Sequence, residues 1–355
     1  MIRSAAMLFS RWTLVLLAAA ACGDNLARPD AQAPPIDAPS PDTPPDADPL
    51  ETLAGTGLCA DRACTQINSG IREYEPRVSF WDDTAIKRRW IYLPPGTKID
   101  TSDMDHWVFP VGTKIWKEFT RDGKRIETRL IMKQLPDDAA PGAWFYQAYL
   151  WAVTQDVTIA VPDGLKDAGG TQHDIPSRGD CRSCHDRLRP TRVLGFEAIQ
   201  LDYDARAGLT DLGDLIVAGL LTVNPAGAAA PRFPLPGTTV DQTALSYLHA
   251  NCGHCHNPTS DVHDVAPLDL RLRTTALGSV TGTPAYMTAV GKDAAIQYTE
   301  NNVNYTKLII PADAPNSAVI GRMNSRMGIR FMPAIAVETV DPAGQIALVA
   351  WINSL

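Results

Sequence analysis

Two stretches of this chain hold cysteine and histidine at a spacing that can do chemistry: Cys181-Arg182-Ser183-Cys184-His185 and Cys252-Gly253-His254-Cys255-His256. Each reads Cys-x-x-Cys-His, the pattern through which a c-type haem is attached. On a helical turn, residues at i, i+3 and i+4 share one face. Both thiols can then meet the porphyrin vinyls while the histidine turns onto the iron. A lone Cys-x-x-Cys also serves thiol redox enzymes and zinc sites. A zinc ribbon, however, spaces its two pairs by about 15 to 20 residues. Here Cys184 and Cys252 are 252 − 184 = 68 positions apart, and each pair carries its own histidine. The spacing predicts two covalently bound haems c, with His185 and His256 as iron ligands; a zinc site and a structural or thiol-redox use are the alternatives.

For the second site a distal ligand is legible. Pro333 disfavours helix at Met332, which leaves an extended segment able to point a thioether at iron, 332 − 256 = 76 positions after the histidine. Met323 and Met327 compete, but they fall in or beside a predicted helix, where methionine more often fills core. For the first site His173, Met104 and Met132 are the nearest candidates and none stands out. His106 is read as a satisfied surface or core histidine. No residue is read as catalytic.

The elements that must position these motifs begin after an export segment. Residues 1–21 carry Arg3 and Arg11, then apolar Leu14-Val15-Leu16-Leu17 and small Ala19-Ala20-Ala21 before Cys22. This is a signal peptide and not a spanning helix. It resembles a bacterial lipobox, with Ala19 in place of the commoner leucine, so Cys22 is expected as a lipidated N-terminus; an ordinary secreted protein cut among the alanines is the alternative. Gly23 lacks an acidic inner-membrane retention signal, which points to the outer membrane. Residues 22–56 are rich in Pro, Ala and Asp and are expected to be a disordered tether. Of the formal charge of −8, residues 1–51 contribute three basic and seven acidic side chains, a net of −4. Half of the acidity therefore lies outside the folded body, and no basic run suggests a nucleic-acid partner.

Cys59 and Cys64 open the folded part and are expected to pair in a local disulfide once exported, against the alternative of two buried thiols. Residues 57–165 read as a β-rich domain. Strands are predicted over residues 86–93, 113–120, 125–133, 144–151 and 157–161, with Asp122-Gly123 as a hairpin turn. Trp90, Trp107, Trp116, Trp144, Tyr149 and Trp151 read as core. Glu127 and Arg129 share a strand face and are expected to pair on its solvated side, while strand alternation alone accounts for Lys117 and Glu118. Residues 166–237 form the first haem segment. In it residues 209–221 look helical. Residues 238–355 form a helical second haem domain: a helix capped by Asp241 runs into Cys252, residues 268–272 alternate like a short strand, and Asp341-Pro342 starts a last helix. The fold class expected is α+β, an antiparallel β-rich domain followed by mainly α-helical cytochrome c-type haem domains.

The order of these segments resembles a family of bacterial dihaem c-type cytochromes of the cell envelope. The matching residues include Tyr74-Glu75-Pro76, Lys87-Arg88-Arg89-Trp90, Phe109-Pro110-Val111-Gly112-Thr113, Ile126-Glu127-Thr128-Arg129-Leu130, both Cys-x-x-Cys-His motifs, Tyr247-Leu248 and Met332-Pro333. Trp81-Asp82-Asp83 departs from the Leu-Phe-Ser-Asp-like segment of that family. The resemblance implies dihaem electron transfer, with redox partner proteins of the envelope; the membrane contact expected through lipidated Cys22 is read from residues 1–22. It supplies no substrate. The runner-up is a haem oxidoreductase with an open first haem beside the β-domain, similar in layout to the lysine-modified, hydroxylamine-oxidising cytochromes; Lys117 is the residue that reading singles out. A non-redox haem sensor is the third.

Overall fold

The computed structural model describes residues 50–186, 193–334 and 337–355. Cys22, the signal segment and the tether up to residue 49 lie outside the described residues. Six strands form one antiparallel meander in chain order: β1 (Ile71–Tyr74), β2 (Ile86–Tyr92), β3 (Lys114–Arg121), β4 (Lys124–Lys133), β5 (Trp144–Trp151) and β6 (Thr158–Ala160). Asp122 and Gly123 both take positive φ, 49° and 74°, the geometry a two-residue hairpin turn needs to match strand twist. The helices are α1 (Arg178–His185), α2 (Ala198–Leu201), α3 (Leu212–Val217), α4 (Thr239–Asn251), α5 (Pro284–Ala289), α6 (Ala318–Asn324) and α7 (Pro342–Ser354). A hairpin of β7 (Asp293–Glu300) and β8 (Val303–Lys307) stands apart. The architecture is α+β.

Strand alternation divides the sheet into two faces. On the outer face Trp90, Trp116, Leu130, Tyr149 and Trp151 pack against Leu53, Leu58 and Cys59. Residues 50–56, read from composition as the end of the tether, thus belong to the folded body: Leu53 is buried, and Leu50 accepts a hydrogen bond from Tyr149 Oη (2.8 Å). Cys59 and Cys64 are joined by a disulfide. On the inner face Tyr74, Ile91, Ile115, Trp144 and Tyr146 pack with Val193, Phe196 and the apolar sides of α2 and α3. The six aromatic residues taken as core are all buried.

A third core gathers α4, α6 and α7 around Leu245, Leu248, Ile320, Leu348 and Trp351. Helix α4 starts at Thr238, whose side chain accepts from Asp241 N–H while the Asp241 carboxylate accepts from Thr238 N–H. Asp241 is the inner member of a capping box and not the cap itself. Asp341 caps α7, accepting from the N–H groups of Ala343 and Gly344, both at 3.0 Å. The predicted helix over residues 209–221 shortens to α3, which Asp211 and Asp214 cap reciprocally. Residues 268–272, expected as a strand, pair in no sheet: Leu270 N–H donates to the His256 carbonyl and Leu272 N–H to His249 Nδ1. Among the described residues no helix is long and apolar enough to cross a membrane.

Candidate functional site

The first motif lies wholly on α1, whose start is fixed by a capping box between Ser177 and Asp180. Helical spacing puts Cys181, Cys184 and His185 on one side, and all three are half-buried. The helix rests on β5. Tyr146 packs its ring 5.6 Å from that of His185 and donates to Asp186 Oδ1 (2.7 Å). Cys181 enters the inner core beside these groups.

The second motif follows the last turn of α4. Cys252 is the C-cap, and residues 252–256 form successive turns and no continuous helix. Its Cys252 carbonyl nevertheless accepts from both Cys255 N–H (3.1 Å) and His256 N–H (2.9 Å), which preserves the one-sided placement that a helix would give. Gly253 lies against residue 271: a Cβ there would come within 2.8 Å of Arg271 Cγ and of the His249 carbonyl oxygen. Only glycine lets the motif approach this closely.

The thiol environments bear on what these pairs can do. Burial pushes Cys252 up to about 12. Burial also raises Cys181, to about 11, with Glu127 and Asp180 adding to the effect and Arg129 opposing it. A thiol-redox pair needs a nucleophilic cysteine lowered toward neutrality; here the first cysteine of each motif is shifted the other way. Among the described residues no three His, Cys, Asp or Glu side chains converge to hold a bare metal ion. Zinc needs three or four such donors, whereas a porphyrin brings four of iron's ligands itself and asks of each motif two thiols and one imidazole. The donor set fits a haem. His256 Nδ1 is shielded from solvent and has no hydrogen-bond partner among the described residues.

Met332 lies in irregular chain beyond a short 3-10 turn (Gly328–Arg330), half-buried, its N–H donating to the Arg322 carbonyl (3.0 Å). The charge of Arg322 reaches His256, where it adds to burial in pushing that imidazole down to about 4. The competing methionines divide as their positions suggest: Met323 fills the third core and Met327 is exposed. His173 is committed elsewhere, with Nε2 2.8 Å from Glu127 Oε2. Met132 packs on the outer face, away from the first motif, and Met104 joins the inner core. His106 lies 2.6 Å from Asp103.

One group of residues between the motifs was not anticipated. Glu197, just before α2, is buried with Arg271 Nη2 at 2.6 Å and His249 Nε2 at 2.8 Å. Burial opposes its ionisation, but Arg271 and His249 outweigh that and hold the carboxyl far below the usual range. His254, inside the second motif, is buried beside this group and stacks on Phe80 at 6.2 Å. Burial, with Arg271, His249 and His185 adding and Glu197 opposing, pushes His254 down to about 3. His185 of the first motif thus lies within electrostatic reach of the second. The strap before β2 completes the junction: Trp81 N–H donates to Asn251 Oδ1 (2.7 Å), and Asp83 accepts from the N–H groups of Glu338 and Thr339, both at 2.8 Å. Lone charges scattered over a sequence carry no signal for such a cluster. Glu127 and Arg129 do pair, at 2.6 and 2.8 Å. They do so on the buried inner face and not on the solvated side expected, because α1 and residues 161–177 cover that face.

Comparison with protein-family models, with curated proteins and with solved structures found no match for this chain.

Proposed function

We propose that this chain is a dihaem c-type cytochrome that carries electrons in the bacterial cell envelope. Cys181, Cys184 and His185 would hold the first haem, the two thiols by thioether bonds and the imidazole on its iron; Cys252, Cys255, His256 and Met332 would hold the second in the same way, with Met332 as a further iron ligand. When bound, the haems supply the one-electron couple, and their covalent attachment prevents loss outside the cell. The observation that carries this reading is the pair of complete motifs set side by side, each with a raised first thiol and an imidazole on the same side of its turn. His254 of the second motif stacks on Phe80 and lies within electrostatic reach of His185 of the first. Redox partner proteins of the envelope are the expected donors and acceptors. Lipidated Cys22 anchors the chain, in keeping with the resemblance to envelope cytochromes.

Intact-mass measurement of protein matured in an envelope proven to make c-type cytochromes tests the reading. Two haem masses are expected; one or none overturns it. For the distal ligand, Met332→Ala should abolish the sulfur-to-iron charge-transfer band and lower one of two potentials. An unchanged spectrum and titration would move the role to another residue. A second reading, an oxidoreductase working at an open first haem, is favoured by one observation: Lys117 lies on the sheet face that α1 covers.

A further inference from the structure

The inner face of the sheet carries a concentration of positive charge that packing does not require. Register sets Arg89, Lys117 and Arg129 directly opposite one another across β2, β3 and β4, and Lys87, Phe119 and Glu127 in the adjacent row. Like charges opposed in this way are destabilising. Two carboxylates answer them. Asp82 accepts from Lys87 Nζ at 2.6 Å and lies 3.4 Å from Lys117 Nζ; Glu127 is gripped by Arg129 at 2.6 and 2.8 Å. Four cations thus crowd two carboxylates in direct contact, with Asp341 acting on Lys87 and Glu75 on Arg89. Arg121, farther out, donates to the Asp82 carbonyl and lines a surface cleft with Asp83 and Glu338. Glu75, toward the edge near Arg89, pairs with Arg206 (3.1 Å).

Lys117 is the least satisfied of the four. An ammonium has three donors, yet among the described residues its one acceptor is Asp82 Oδ2, at a length well beyond the 2.7 to 2.9 Å of a strong charged hydrogen bond (about that range in general). Its ammonium also lies 4.5 Å from the centre of the Phe119 ring. Arg89 is buried, and its guanidinium donates to one acceptor among the described residues, Ser79 Oγ (3.1 Å). Lys117 keeps 25% of its side-chain surface open to solvent. Burial, together with Arg89, Lys87 and Arg129 and against Asp82, pulls its pKa well below the lysine range. The patch borders the first motif, since Arg129 acts on the Cys181 thiol.

We propose that this face is a binding site for carboxylate or small oxyanion groups, with Lys117 as the central donor and Arg89 and Arg129 flanking it. Two sources supply that chemistry: the propionates of a haem on the first motif, in which case the inference rests on the function proposed above, or a free oxyanion entering beside Lys117.

The test uses the mature protein and two variants, Lys117→Met, which keeps the apolar stem and removes a repelled charge, and Lys117→Arg, which keeps the charge. Intact mass first establishes whether two haems are present, so a failure of the haem reading is seen separately. If propionates occupy the site, redox titration of Lys117→Met shows one of two potentials lowered and the other unchanged, Lys117→Arg restores it, and sulfate has no effect. If a free oxyanion occupies it, sulfate at fixed ionic strength raises the melting temperature saturably in the parent and in Lys117→Arg, with at least tenfold weaker binding in Lys117→Met. Either result supports the site. Unchanged potentials in Lys117→Met, together with a sulfate response that is absent or equal in all three proteins, overturn it.

Discussion

Helix α7 crosses α4 at Gly344, and a single methyl group there should disrupt the junction. A Cβ on Gly344 would lie 2.1 Å from Tyr247 Cζ, 2.2 Å from Cε2 and 2.4 Å from the hydroxyl oxygen, where carbon contacts need about 3.5 to 4.0 Å. The tyrosine ring is buried, so relief requires the two helices to separate by more than an ångström. Overpacking of this kind costs about 1 to 3 kcal/mol. Replacing glycine by alanine inside a helix returns at most about 1 kcal/mol, and less at the third helical position. The balance for Gly344→Ala is a loss of about 1 to 2 kcal/mol, read as a lower urea midpoint with an unchanged slope. Tyr247 lies 252 − 247 = 5 residues before Cys252 on the same helix, so haem content of the second motif should fall as well. Adding Tyr247→Leu to Gly344→Ala should recover part of the stability. A Gly344→Ala protein that unfolds at the same urea concentration as the parent, or a higher one, would refute the reasoning.

Glu197→Gln removes the carboxylate that Arg271 and His249 face in the interior. A loss on the order of 3 to 5 kcal/mol is expected in urea unfolding, and a loss below about 1 kcal/mol would show that the cluster does not hold the junction. Asp82 is acidic below its ordinary 3.8 because Lys117 and Lys87 outweigh the effect of burial. Its stabilisation is therefore present above the unfolded value and is lost as pH falls through the lower folded one. Asp82→Asn should be less stable than the parent at neutral pH, and the gap should close in acid; a gap independent of pH contradicts the assignment. Opening the Cys59–Cys64 disulfide by a double Cys→Ser change should cost about 2 kcal/mol for so short a loop, measured by thermal or urea unfolding, and no change in either would remove its stabilising role.

The sheet was readable because its signals are local. Five strands follow alternation and the Asp122-Gly123 turn, and β1 was missed because Ile71-Arg72-Glu73-Tyr74, with two charged residues side by side, does not alternate. The hairpin of β7 and β8 was missed for another reason: its turn is Asn301-Asn302, with φ of 52° and 64°, and asparagine tolerates that region less conspicuously than glycine. Alternation assigns Glu127 and Arg129 to one face but does not say which face is wet, and that decision rests on α1 and residues 161–177, far along the chain. The motifs themselves were legible from spacing alone. Glu197, His249, His254 and Arg271 were not, because their meeting depends on how α2 and α4 pack.

The folded body begins on the outer face of the sheet, where Leu50 and Leu53 pack beside Tyr149. The first motif packs on the opposite face, where Cys181 joins the inner core and Tyr146 lies against His185. The first described residues and the first motif therefore lie on opposite faces of the sheet. His254 is buried and His185 and His256 are half-buried, so an approaching partner meets the rims of the motifs and not their imidazoles.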